Sequence, residues 1–255
     1  MKRALRFIYL SAVYLFLYVP ILVLIVYSFN DTKYSTNWQG FTMRWYAQLF
    51  TDSPLKEALI NSLIIASASS VFATVLGTLG AFAFYRYRFL GRKIMYSFIY
   101  IVMMSPDIVM GISLLMFFIT VGLAPGPFTL LLAHITFCLP FVVVTVYSRI
   151  SGFDRTIIDV AKDLGASELQ MFRHIMLPLL MPAIIAGWLL SFTLSLDDVV
   201  VSFFTTGPSF EILPLKIYSM VRLGIKPEIN ALSAMMFLLS LVTVSVAHLV
   251  TKENR

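Results

Sequence analysis

Three carboxylates, Asp107, Asp197 and Asp198, stand in stretches of sequence that are otherwise almost wholly apolar. An aspartate at the centre of a membrane helix costs roughly 2.5–3.5 kcal/mol, so three facing lipid would cost on the order of 7–10 kcal/mol. They must therefore face water or a neighbouring helix. No Lys or Arg lies within the same stretches. A path for an anion would carry Arg, Lys or helix N-termini, whereas ammonium groups exchange water for carboxylates and hydroxyls. The sign of the charge favours a small organic cation. An inside-negative potential would draw each such charge inward by about 2.3 kcal/mol per 100 mV.

Spacing refines the candidates. Ser191, Ser195, Asp198 and Ser202 fall at i, i+4, i+7 and i+11, one face of a helix, and that polar stripe is the candidate lining of a path. Asp197 lies about 100° around the same helix, so the two aspartates should divide two roles. One binds substrate and the other holds a neighbouring helix or subunit, with Asp198 the preferred path residue. Asp107 follows Pro106, and a proline in mid-helix bends it and frees a backbone carbonyl. Asp107 is then either a cation ligand near the midplane, the preferred reading, or a local partner for broken backbone. Trp45 either stacks on an ammonium at the outer mouth or belongs to an interfacial aromatic belt. His134 and Cys138 read as packing groups, and Gly77, Gly80 and Ala81 as small residues that let helices approach.

The elements that must hold these residues follow from composition. Of 255 residues 59% are hydrophobic and 13% charged, against about 25% charged in soluble domains. Apolar runs near twenty residues, the length that crosses hydrocarbon, recur at about 7–28, 58–84, 94–121, 128–148, 179–204 and 230–250. An all-α membrane protein with six transmembrane helices is expected. Residues 1–28 begin with basic residues, but the apolar run is too long for a signal peptide and no small-x-small cleavage site follows. Thirteen of the nineteen Lys and Arg fall in the N-terminus, the 86–93 turn, the 149–173 loop and the C-terminus. The positive-inside rule places those segments and both termini in the cytoplasm. Residues 29–57 and 205–229 become periplasmic loops. The first of these, with Tyr34, Trp38, Trp45 and Tyr46, is either an aromatic belt or an amphipathic helix that meets an external partner. A net charge of +6 is then a topology and membrane-lipid signal, and nucleic acid is not a partner. One cysteine excludes an internal disulfide or a cysteine metal cluster.

The segment at 150–178 is longer than a connection needs. Asp154 can cap a helix on which Ile157, Ile158, Ala161 and Leu164 share an apolar face. Gly165 can end that helix, and Ser167 through Gln170 is a capping box that starts another. This helix–glycine–helix unit resembles the cytoplasmic coupling motif of ABC importer permeases, Glu-Ala-Ala, three residues, Gly, nine residues, Ile-x-Leu-Pro. Here the motif is Asp159-Val160-Ala161, Gly165 and Ile175-Met176-Leu177-Pro178. Spacing is fully kept, with Asp in place of Glu and Val in place of the first Ala. Further runs are similar to spermidine/putrescine transporters: 38–46, 85–89, Met104 to Val109, 134–149, Leu196 to Val201 and Glu211 to Tyr218.

That resemblance implies a type I importer (MetI-like) transmembrane domain that translocates polyamines by alternating access. It implies a heterodimer with a sister permease, an ATPase dimer docked on the loop, and a periplasmic polyamine-binding protein. Asp159, Ala161, Gly165, Ile175 and Pro178 would couple to the ATPase, and Glu168 by its placement. Asp107, Ser195, Asp197, Asp198 and Trp45 would serve the substrate path. The chain has no phosphate loop of the G-x-x-x-x-G-K-[ST] form, so it should bind no cofactor, with ATP and Mg held by the partner ATPase. A permease for an anion or an iron complex fits the charges less well. A secondary cation transporter leaves the loop unexplained, and an enzyme lacks any metal cluster or nucleophile–base pair.

Overall fold

The computed structural model describes residues 2–32, 37–51, 53–153, 155–222 and 227–252. Its elements are helical, in the order α1 Lys2–Tyr27, α2 Arg44–Thr51, α3 Ser53–Arg86, α4 Arg92–Met104, α5 Asp107–Thr120 and α6 Pro127–Ser151. There follow α7 Arg155–Asp163, α8 Glu168–Met171, a π-helical turn Phe172–Met176, α9 Leu177–Asp197, α10 Val200–Thr205, α11 Leu213–Arg222 and α12 Pro227–Lys252. Among the described residues the extended pairing is a single bridge between Asn30 and Phe41.

The core is a three-helix packing of α3, α6 and α9. Helix α6 is central, and its Leu130, Ala133, Cys138, Val142, Val143, Val146 and Ile150 are essentially fully buried. Close approach depends on absent side chains. A Cβ on Gly77 of α3 would stand 2.7 Å from Val142, and one on Gly187 of α9 would stand 3.3 Å from the same residue. Val142 thus wedges between two glycines, as the expectation of small residues in α3 requires at Gly77. Gly80 has ordinary clearance, 3.6 Å to Val143. Helix α1 is apolar and none of its described side chains is buried; within the chain it meets chiefly α12.

Among the described residues, four helices are long and apolar enough to cross a membrane: Leu5–Tyr27, Pro54–Arg86, Pro127–Ser151 and Glu168–Asp197. The expected third span is not one straight helix. It is α4 and α5, bent by 114° at Ser105–Pro106, where proline removes an amide donor and clashes with the preceding turn. Counted as one span, the pair raises the number to five. In α12 the described apolar stretch, Glu228–Val242, is shorter than a span. The expected fifth span is also interrupted: α9 stops at Asp197 and α10 restarts at Val200. Both interruptions fall on the aspartates.

The described residues of 29–57 form a folded cap. Helix α2 turns Trp45 and Leu49 inward against Leu55, Leu213, Ala231 and Leu232. Of the two readings of this loop, the helix is present at Arg44–Thr51, while Trp38 stays half exposed. Tyr34 lies outside the described residues.

Candidate functional site

The break between α9 and α10 is organised by Asp198. Its backbone is extended (φ −66°, ψ 126°), so the α9 hydrogen-bond ladder cannot continue, and its carboxylate caps the next helix instead. Val201 N–H donates to Oδ1 at 3.3 Å, while Ser202 N–H and Ser202 Oγ donate to Oδ2 at 2.7 and 2.8 Å. An anion at a helix N-terminus satisfies its free amides and complements its dipole.

Helix α6 supplies the second half of this centre. His134 is fully buried, with Nδ1 2.6 Å from Ser195 Oγ and Nε2 2.9 Å from Ser202 Oγ. Its Nε2 is also 3.6 Å from Asp198 Oδ2. Ser69 of α3 closes the chain, its Oγ 2.9 Å from Ser195 Oγ. Since Ser202 donates to the carboxylate, its oxygen is left to accept from Nε2–H. A neutral ring then accepts at Nδ1 from Ser195, whose oxygen accepts from Ser69. One directional chain of donors joins four helices and ends on Asp198.

The expected path-lining stripe is therefore turned inward. Ser191, Ser195, Asp198 and Ser202 are all buried within the chain, because the helix breaks at the third of them. His134 was the residue the packing expectation undervalued: it is a hydrogen-bonding hub, and a histidine in mid-apolar sequence is its signal, since such a ring needs partners. Cys138 is buried, with Sγ 3.4 Å from the Ser191 carbonyl oxygen.

Asp197 behaves oppositely. It is exposed and lines an open hollow of about 410 Å³ with Val199, Leu213, Ile217, Tyr218 and Met236. Asp107 is exposed too, at the first position of α5, and no side-chain bond is formed by its carboxylate among the described residues. The two belong to one level of the bundle. Gly111, one turn after Asp107, packs on Val200 and Val201. Helix α10 ends with the Thr205 carbonyl oxygen bonded by Gly126 N–H at the start of α6, where the short turn after α5 also arrives. Both half-helices thus run the same way and begin beside their aspartates.

Trp45 is neither a free platform nor a belt residue. It is 6% exposed, its Nε1–H donates to the Asn30 carbonyl oxygen at 2.8 Å, and the Arg44 guanidinium lies 4.6 Å over its ring. It anchors the cap.

The 150–178 loop has the expected form. Helix α7 ends at Gly165, whose φ of +81° is open to glycine at little cost. Ser167 and Gln170 form the reciprocal capping box, at 3.3 and 2.9 Å. Ala161 is buried, whereas Ile157, Val160, Leu164 and Leu169 are exposed, so the hairpin keeps an apolar surface uncovered. Asp159 and Pro178 are exposed, Ile175 half-buried. Asp154 lies outside the described residues. Glu168 is engaged within the chain: Arg86, at the end of α3, donates to both of its oxygens, Nε at 3.1 and 3.0 Å and Nη2 to Oε1.

Long apolar helices, carboxylates at helix breaks and an outward-turned helical hairpin are the architecture of a multi-pass membrane permease. The profile of the binding-protein-dependent transport system inner membrane component family matches residues 73–252, and the chain belongs to that family; it is a transport subunit and not itself an enzyme. It is 55% identical over 252 residues to the spermidine/putrescine transport system permease protein PotC of Escherichia coli K12, covering 99% of this chain and 96% of that one. Identity is 43% over 237 residues to the putrescine permease protein PotI of the same organism, covering 90% and 84%. Among solved structures, a bacterial ABC transporter involved in import of the acidic polysaccharide alginate aligns with a TM-score of 0.76. Its identity is 18%, covering 99% of this chain and 96% of that one. The MetNI methionine ABC transporter aligns with a TM-score of 0.64 at 15% identity, covering 79% and 98%. These likenesses give the fold.

Proposed function

We propose that this chain is a polyamine permease subunit of an ABC importer in the bacterial inner membrane, with both termini in the cytoplasm and six crossings in all. The observation that carries the substrate class is the pair of exposed carboxylates, Asp107 and Asp197, at one level of an apolar bundle whose Lys and Arg lie toward the ends of the spans. Spermidine and putrescine present ammonium groups joined by short alkyl chains. A hollow with one carboxylate, the Tyr218 ring and apolar walls suits both parts of such a molecule. The near full-length similarity to a spermidine/putrescine permease supports the same reading. Substrate charge does not travel with the fold, since a structural neighbour at 18% identity is involved in import of an acidic polysaccharide.

In this assembly the exposed apolar face of α7 and α8 receives an ATPase dimer, which holds ATP and Mg, and α9 carries its motion to the break at Asp198. A sister permease completes the path beside Asp107 and Asp197. A periplasmic binding protein delivers the polyamine to the cap and the hollow. The test is uptake of labelled spermidine and putrescine into vesicles containing this chain and its co-expressed partners, with and without ATP turnover. ATP-dependent uptake competed by polyamines is expected; uptake only of anionic solutes, or uptake that needs no ATP, would sink the reading.

A further inference from the structure

A second concave site lies away from the aspartates, at the turn joining α3 to α4. It is a hollow of about 660 Å³ lined by Arg88, Arg92, Lys93, Gly91, Tyr96 and Tyr147 among others. Three cations line it, and no carboxylate among the described residues does. None of the three forms an ion pair among the described residues; among those residues their side-chain hydrogen bond runs from Arg92 Nη2 to the Tyr147 hydroxyl at 3.4 Å. Three uncompensated charges in one concavity repel each other, and an anion there would relieve that repulsion.

The surroundings say which kind of anion. The turn follows one long apolar helix and precedes another apolar one, which puts it at the depth where hydrocarbon gives way to headgroups. From the hollow, Ile94, Phe98 and Ile101 run along α4 at i, i+4 and i+7, all exposed. Leu90 at the turn is fully exposed and Phe89 partly so. A small inorganic ion would leave that apolar stripe uncovered. A headgroup with acyl chains occupies both. Tyr96 and Tyr147, whose rings lie 5.0 Å apart, are amphipathic side chains suited to that boundary.

We propose that this hollow binds the phosphate of one anionic phospholipid, whose acyl chains lie along the Ile94–Phe98–Ile101 face of α4. The site is independent of the substrate path and needs only that the chain spans a membrane. Charge complementarity selects an anionic lipid over a zwitterionic one, and the apolar stripe selects a lipid over free phosphate.

The experiment uses the purified permease complex, stripped of lipid in mild detergent and read by native mass spectrometry. It is titrated separately with phosphatidylglycerol, phosphatidylcholine and inorganic phosphate. Tighter retention of phosphatidylglycerol than of phosphatidylcholine, by about tenfold or more, is expected from three nearby cations. The combined variant Arg88→Gln, Arg92→Gln, Lys93→Gln should lose that preference while Lys56→Gln, at another exposed lysine, keeps it. Equal retention of both lipids, or an unchanged preference in the triple variant, overturns the site. Inorganic phosphate that displaces phosphatidylglycerol at low millimolar concentration overturns the lipid assignment. Should the triple variant fail to assemble, a photoactivatable phosphatidylglycerol on the unmodified complex decides. Labelling within 88–101 or at Tyr147 supports the site, and labelling only elsewhere overturns it.

Discussion

Asp198 Oδ2 and His134 Nε2 lie 3.6 Å apart with the Ser202 hydroxyl between them, and this relationship fixes where α9 stops. Three donors converge on the Asp198 carboxylate. Asn at 198 offers one acceptor oxygen and turns an N–H₂ group toward donors. Leaving a buried donor unmatched costs about 1–3 kcal/mol. Asp198→Asn and His134→Leu should therefore both lower the thermal midpoint of the detergent-purified complex and its yield. Combining them should cost less than the two losses added, because both remove one network. Strict additivity would show that the ring and the carboxylate act separately.

The neighbouring Asp197 predicts the opposite signature. It caps nothing across the break and faces the open hollow, so Asp197→Asn should leave assembly and thermal stability as they are. Transport should fall: losing a hydrogen bond to a charged group, about 1.5–3 kcal/mol, corresponds to roughly 10–100-fold in the half-saturating concentration of polyamine. Labelled spermidine uptake across a concentration series checks this. Wild-type saturation in Asp197→Asn would remove it from the path.

Much of this is legible in the sequence alone, and the reasons for the rest are physical. The glycine turn and the start of the second helix could be placed because Gly165 and the Ser167–Gln170 box act locally, through φ and short-range bonds. That Asp197 and Asp198 face different surroundings was also legible, from the angle between adjacent helical positions. Which of the two the fold buries was not. The periodicity argument assumes an unbroken helix, and Asp198 itself breaks it by capping α10, so the serines around it turn toward His134. Trp45 misled for a related reason. Aromatic residues in a loop read as a surface belt, but α2 folds the indole onto Leu213 and Leu232, contacts between segments far apart in the chain. The bend at Pro106 was visible as a residue, its 114° was not.

The pair Arg86 and Glu168 ties the hairpin to the end of α3. Both side chains are partly exposed, 30% and 47%, so the ion pair should add no more than about 1 kcal/mol of stability. Its expected effect lies in holding the hairpin at a fixed place. Arg86→Glu or Glu168→Arg alone should reduce uptake with little change in thermal midpoint, and the double exchange should recover most of it. Failure of the exchanged pair to recover, with the complex intact, would mean that Glu168 acts on a partner outside the chain.

Gly165 provides the sharpest test of the hairpin because its demand is purely conformational. A Cβ there would meet nothing within 4 Å, so size does not matter to its neighbours; only the left-handed backbone, φ +81°, does. An L-residue other than Asn or Asp pays roughly 1–2 kcal/mol for that conformation, and a β-branched one has the narrowest choice. Gly165→Asn should therefore keep most transport, Gly165→Ala should lose some, and Gly165→Val should lose most. The ATPase activity of the assembled complex should then no longer respond to substrate delivery, because α7 and α8 no longer hold their angle. Ranking the three variants by substrate-stimulated ATP hydrolysis measures this directly. An order that follows side-chain volume, with Asn worse than Ala, would show that crowding at a partner surface and not φ governs the position.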